Sequence, residues 1–339
     1  MQSMQAGAAV RDITPPESLL RADRVWLWGF GSRTQPCGGV HDPLSVRALA
    51  LTDAGHGIAV LVSLDVCALE PQSTGRVRSE AARSYGLSAA GICLNVTHTH
   101  GAPAMVSIPT WTAGFALADQ DYVRLVEQRT VETIGAALAA LAPAKLRLAR
   151  GRSSIAIDRH FGEPGVHDRT LDVLRAVGTG GETIATAIFT ACHPVCRGDY
   201  NRVSADFAGV AREQVEHRLG GIALFVQGFT GISNPRVRDA ETIGEALAAE
   251  TVALCAGSIT EVAGPLRCVL GSVNLPLEPL TAPDVLARAA AAGGVHARWA
   301  RAMAAQGDAA PGALRTPIQA IAIGDGSDAW LLSASGHEV

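Results

Sequence analysis

Two histidines one residue apart, in 94-LNVTHTHGAP-103, close an apolar run and are followed at once by Gly101, Ala102 and Pro103. Side chains alternate faces along a strand, so Ile92, Leu94, Val96, His98 and His100 share one face, with the two imidazoles offset by roughly 6–7 Å. A strand fixes direction and a proline-closed turn opens room for a ligand. The pattern recurs in 192-CHPVCRGDYNRVSADFAG-209, where His193 ends the apolar stretch 183–191 and Pro194 forbids continuation of the strand. A third apolar strand, in 329-AWLLSASGHEV-339, runs through small residues into His337 and Glu338. Three strand ends thus offer imidazole, imidazole and carboxylate. That is the ligand set of a catalytic Zn²⁺ site with one position left open, where the ion lowers the pKa of water toward about 7 and polarises a carbonyl.

Other residues carry a bland reading beside the chemical one. Asp65, at the end of 58-IAVLVSLD-65, and Asp206 in SADF could accept hydrogen bonds from metal-bound imidazoles, although capping the following helix serves Asp206 as well. His41 lies near the site or only in a turn. Residues Gln227 to Gly231 either present backbone N–H groups to an oxyanion or form a plain glycine turn. His56, His217 and His296 sit on polar turns or helices as bystanders. The seven cysteines include no C-x-x-C pair and read as reduced core residues.

These candidates need a scaffold of strands. Strand-like stretches fall at 45–52, 58–65, 92–100, 171–177, 183–191, 222–228, 318–324 and 329–335, and helix-like ones at 70–85, 119–141, 206–219 and 239–256. The order predicts an α/β chain with mixed β-sheets, two of them packed together and flanked by helices, in a single domain over 1–339. A length of 339 residues suffices for a large core. The net charge of −4 with scattered Lys and Arg argues against nucleic acid as a partner. No apolar run reaches the roughly 18 residues of a spanning helix, and the first residues lack a secretory pattern. A cytoplasmic chain without stable membrane association is expected, with homo-oligomer formation left open.

At this point the residues carry a resemblance. DIT-P (12–15), GGVHDPLSVRALAL (38–51), VSLD (62–65), NVTHTHGAP (95–103), the DR of IDRHF (157–161), HPVCRGDYNRVSADFAG (193–209) and LFVQGFTGISNPR (224–236) stand in the order and spacing of the neutral/alkaline ceramidase family. From about residue 7 to 339 the chain resembles the catalytic domain of that family. The resemblance implies two packed sheets flanked by helices, one Zn²⁺ and hydrolysis of an N-acyl amide. It implies His98 and His193 as zinc ligands, His100 as the group that contacts the scissile carbonyl or moves a proton, and Arg159 as a substrate contact near the reacting centre. It further implies a carboxylate ligand in the turn after the last strand, which Glu338 matches and an ungapped alignment would give to His337.

Three departures shape the expectation. Ceramidases carry a catalytic serine before the proline of the loop after Gln-Gly, whereas Asn234 stands before Pro235 here and Ser233 is shifted one place earlier. Asn234 is therefore assigned to substrate binding and a serine nucleophile is not expected. The family's tyrosine ligand lies beyond the carboxylate, past Val339, so either a C-terminal piece is lacking or another fourth ligand serves. With only 4% aromatic residues the chain is poorly equipped to seize lipid from a membrane. The expected activity is Zn²⁺-dependent hydrolysis of the N-acyl amide of a small or moderately polar molecule. A metal-dependent ester or lactone hydrolase and a non-catalytic ligand-binding module are the alternatives.

Overall fold

The computed structural model describes residues 4–55, 57–106, 118–159, 167–197, 201–277, 281–306, 312–324 and 330–335. The strands are β1 (Met4–Asp12), β2 (Ser45–Thr52), β3 (Ile58–Leu64), β4 (Ile92–Val96), β5 (Ala142–Arg152), β6 (Ala156–Asp158), β7 (Thr170–Gly178), β8 (Thr183–Thr190), β9 (Ile222–Gln227), β10 (Ser233–Pro235), β11 (Thr260–Val262), β12 (Leu266–Pro276), β13 (Ala313–Ile323) and β14 (Trp330–Ser335). The helices are α1 (Glu17–Arg21), α2 (Pro71–Tyr85), α3 (Gln120–Ala139), α4 (Asp206–Leu219), α5 (Ala240–Ala256), α6 (Pro283–Ala292) and α7 (Gly294–Gln306).

One mixed sheet runs in the order β4-β3-β2-β1-β5-β7-β8-β9, with β11 added beside β5. Its two ends are the only parallel pairs of that path, β3 with β4 and β8 with β9. A parallel pair needs a crossover, and α2 and α4 supply one at each end. The sheet folds over on itself. Leu49, Leu61 and Cys93 from one half share a core with Leu174, Ala187 and Leu224 from the other, and the Ser63 hydroxyl donates to the Phe225 carbonyl at 2.5 Å. The expected pair of packed sheets is therefore present as two halves of one continuous sheet.

The alternate residues face outward onto helices. Val46, Val60, Val62 and Ile92 pack against Val77 of α2 and Val123, Val126 and Ile134 of α3. Val173, Ile188 and Phe225 pack against Phe207, Ala211 and Val215 of α4 and Ile243 and Leu247 of α5. Being buried on both faces, β3 reads as an apolar run interrupted only by Ser63. The helix starts are written locally: Asp119 accepts from the N–H groups of Asp121 and Tyr122, and Asp239 from that of Thr242. A smaller sheet, β12-β13-β14, docks Ile321 and Ile323 onto the inner core.

Two expectations change. Asp65 does not orient an imidazole: it is buried in a bidentate pair with Arg212 of α4, 2.7 Å on each arm, and also accepts from the Ser45 N–H and hydroxyl. Asp206 opens α4 with φ +56°. Its carboxylate accepts from the N–H groups of Cys196, Arg197 and Phe207, which pins the turn after His193. Burial raises its pKa.

Candidate metal centre

Folding the sheet over brings its edge strands together, and the histidine turns lie at that seam. β4 stops at Val96, earlier than the alternating pattern suggests, and the chain leaves the sheet by placing His98 at φ +65°. Left-handed backbone is uncommon outside glycine and points to a constraint imposed by the surroundings. The constraint is visible: the N–H groups of Thr97 and His98 donate to the carbonyls of Leu64 and Val66, and that of His100 to Pro194. The strand-face argument therefore fails in detail, because His98 and His100 meet through a turn, with Nε2 atoms 3.3 Å apart.

His193 completes a triad of rings. Its centroid lies 5.0 Å from that of His98 and 5.6 Å from that of His100, and His98 and His100 are 5.0 Å apart. His98 Nδ1 faces the Cys67 carbonyl at 2.7 Å, and His193 Nδ1 faces the Thr230 carbonyl at 2.7 Å. A carbonyl only accepts, so both Nδ1 atoms carry hydrogen and both Nε2 atoms present lone pairs. Metal-ligating histidines are held in this way. Two imidazoles on one tetrahedral ion at about 2.0–2.1 Å place their ring centres about 5 Å apart, so the spacing of His98 and His193 fits such an ion. His100 differs, since its Nδ1 is buried without a hydrogen-bond partner.

Cys67, His98 and His100 also offer ligand atoms within 4.8 Å of one another. The Cys67 sulfur, however, is 3.7 Å from His98 Nδ1, the nitrogen already committed to a carbonyl.

The electrostatics keep His100 and His193 neutral. Burial, with help from His98, His193, Arg33 and Arg159, pushes His100 down to about 2. Burial, followed by His98 and Arg159, pushes His193 down to about 4. Neutral rings are the form that ligates a metal. The same shifts set a stability window for the metal-free protein. Both folded pKa values lie below the ordinary value of 6.5, so on acidification the unfolded chain takes up protons first and the fold loses stability. We expect the thermal midpoint to be insensitive to these groups above pH 6.5. It should fall as pH drops toward about 4 for His193 and on toward about 2 for His100; a midpoint flat from pH 7 to 4 would contradict the placement of the rings.

The remaining expected residues fall as follows. Arg159 follows β6, is exposed, and its N–H donates to the Ile232 carbonyl; its charge acts on both His100 and His193. β6 pairs with β10, matching Ser233 to Asp158 and Asn234 to Ile157, so Arg159 and Asn234 enter the same neighbourhood. Asn234 is half-buried, while Ser233 is fully buried with its hydroxyl unpartnered. His337 and Glu338 lie outside the described residues. His41 is 3.9 Å from the Asp42 carboxylate.

The sequence reading missed the wall over His100. The ring of Phe30 meets it edge-on at 4.8 Å, and Arg33 donates to the carbonyls of Trp28 and His100 at 2.7 and 2.6 Å. Gly29 has φ +103°, and a Cβ there would run into the His100 ring. Tryptophans and glycines in 26-WLWGFGSR-33 were a signal of close packing around something, but not of what.

No protein-family model and no curated protein matches the chain. Solved structures do. A neutral ceramidase from Pseudomonas aeruginosa superposes with a TM-score of 0.76 at 19% identity, covering 96% of this chain and 61% of that one. A ceramidase complexed with C2 gives 0.71 at 20% identity, covering 83% and 48%. The chain thus has the ceramidase fold and spans about half to three-fifths of the length of the proteins it matches. Among the described residues no helix is long and apolar enough to cross a membrane.

Proposed function

We propose that this chain, built on the ceramidase fold, is a metal-dependent hydrolase of an N-acyl amide, with Zn²⁺ as the ion and a small or moderately polar molecule as substrate. The observation that carries the reading is the convergence of three imidazoles at the seam, two of them with Nδ1 anchored on a carbonyl.

His98 and His193 would hold the ion through Nε2, and Glu338 would add a carboxylate. Bound there, the ion supplies Lewis acidity and an activated water at neutral pH. His100 is not anchored as a ligand is. The neutral His100 ring, its Nε2 3.3 Å from that of His98, would present its Nε2 hydrogen to the substrate carbonyl. It would donate to the carbonyl oxygen as water adds to the carbonyl carbon and negative charge develops, and the proton released by that water would pass to the departing amine as the C–N bond breaks. Arg159 adds a fixed positive charge beside the same oxygen. Asn234 borders the substrate.

Removing the metal with a chelator should abolish amide hydrolysis and Zn²⁺ should restore it. Matched amides and esters of one acyl group then test the bond, and activity untouched by chelation, or confined to esters, would refute the proposal. Ser233→Ala should retain most of the activity, because a hydroxyl with no exposed surface cannot reach a substrate, and no acyl-enzyme burst should be seen. A dead alanine variant with its zinc in place would restore a serine mechanism.

A further inference from the structure

Gln227 ends β9, and its side chain reaches both histidine turns at once. Nε2 donates to the Thr97 carbonyl at 3.0 Å and to the Cys192 carbonyl at 2.8 Å, while Oε1 accepts from the Cys192 N–H at 3.1 Å. Thr97 directly precedes His98, and Cys192 directly precedes His193. The main chain of Gln227 is fixed in turn by one side chain: its N–H donates to Asn95 Oδ1 at 2.9 Å, and its carbonyl accepts from Asn95 Nδ2 at 3.0 Å. Asn95 lies on β4, at the opposite end of the sheet order from β9. The seam that carries the imidazoles is therefore closed here by two interlocking amides rather than by a backbone ladder.

This arrangement commits both hydrogens of the Gln227 amide to two carbonyls and its oxygen to an N–H. Each bond ends on the residue just before a ring-bearing one, so a shift of Gln227 moves both turns. Metal ligands must be held to within about 0.5 Å to bind well. We infer that Gln227 is the positioning residue that sets the separation of His98 and His193, and through it the affinity and geometry of the ion they hold. The inference rests on the metal reading above.

Gln227→Glu keeps the size but sets a carboxylate oxygen against two carbonyl oxygens. Gln227→Met keeps the length and removes every hydrogen bond, and it carries the test if the Glu variant does not fold. The readouts are Zn²⁺ affinity by competition with a chelating dye and the visible absorption of the Co²⁺-loaded protein, each on protein with the circular dichroism of the wild type. We expect Zn²⁺ to bind ten- to a hundredfold more weakly, the range for lost supporting contacts, with altered Co²⁺ bands in both variants. Lys145→Ala, on the exposed side of β5, should change neither. Wild-type affinity and Co²⁺ bands in the folded variants would overturn the inference. Should the wild type take up no ion, the metal reading fails separately. The positioning role is then read from proton contacts between the His98 and His193 rings in nuclear magnetic resonance of the metal-free protein: their loss in the variants supports it and their persistence refutes it.

Discussion

His98→Ala and His193→Ala should each lose nearly all bound Zn²⁺ and all detectable hydrolysis while keeping the fold. The expectation of a large effect comes from the way the rings are held. Each gives its Nδ1 hydrogen to a backbone carbonyl 2.7 Å away, so Nε2 is pre-aimed and little ordering remains to oppose binding. Removing either ring leaves one well-anchored nitrogen where the site needs at least three ligands. The fold should survive, because the rings cap the ends of strands whose cores lie further in, among Leu61, Cys93, Ala187 and Leu224. Metal analysis of the purified variants checks this. A His98→Ala, His193→Ala double variant that still carries one equivalent of zinc would end the proposal, and Cys67 with His100 would become the ligands to pursue.

How much of this could be read from the residues depends on how local the cause is. Proline after His193 and the Gly-Ala-Pro after His100 are local stops, so the end of β8 and the two imidazole-bearing turns were legible. Helix starts at Asp119 and Asp239 were legible for the same reason. The early exit of β4 was not, because it depends on the carbonyls of Leu64 and Val66, at and just past the end of neighbouring β3, accepting from the N–H groups of Thr97 and His98. Asp65 looked like a partner for an imidazole only because Arg212, 147 residues further on, carries no mark of the pairing. Strand β1, MQAGAAVRD, has small residues and no alternation to announce it. It is nonetheless central, joining the two halves of the sheet through β2 and β5. By sequence, the stretch Gln227 to Gly231 offers either backbone N–H groups for an oxyanion or a plain glycine turn. The role of Gln227 appears only when the sheet closes and puts Thr97 and Cys192 on either side of it.

His100→Ala should keep its zinc and lose turnover by about a hundredfold or more, the usual scale for a group that donates or accepts a proton in the reaction. The two roles separate because the three rings are not equivalent. His98 and His193 are anchored through Nδ1 as ligands are, whereas the buried Nδ1 of His100 meets no partner. Its ring is instead held by shape, between Phe30 and the space that Gly29 leaves open. Shape restrains a ring without raising its basicity, and burial first, with the neighbouring histidines and the charges of Arg33 and Arg159 after it, favours its neutral form. A neutral imidazole with hydrogen on Nε2 is a donor to a carbonyl oxygen and not a competitor for the ion. Gly29→Ala should therefore mimic His100→Ala in part, depressing kcat while zinc content stays at the wild-type level. The measurement is metal content and turnover on the same preparations. Equal loss of zinc and activity in His100→Ala would make the third imidazole a ligand, 3.3 Å from its neighbour, and move the proton-transfer role to another group.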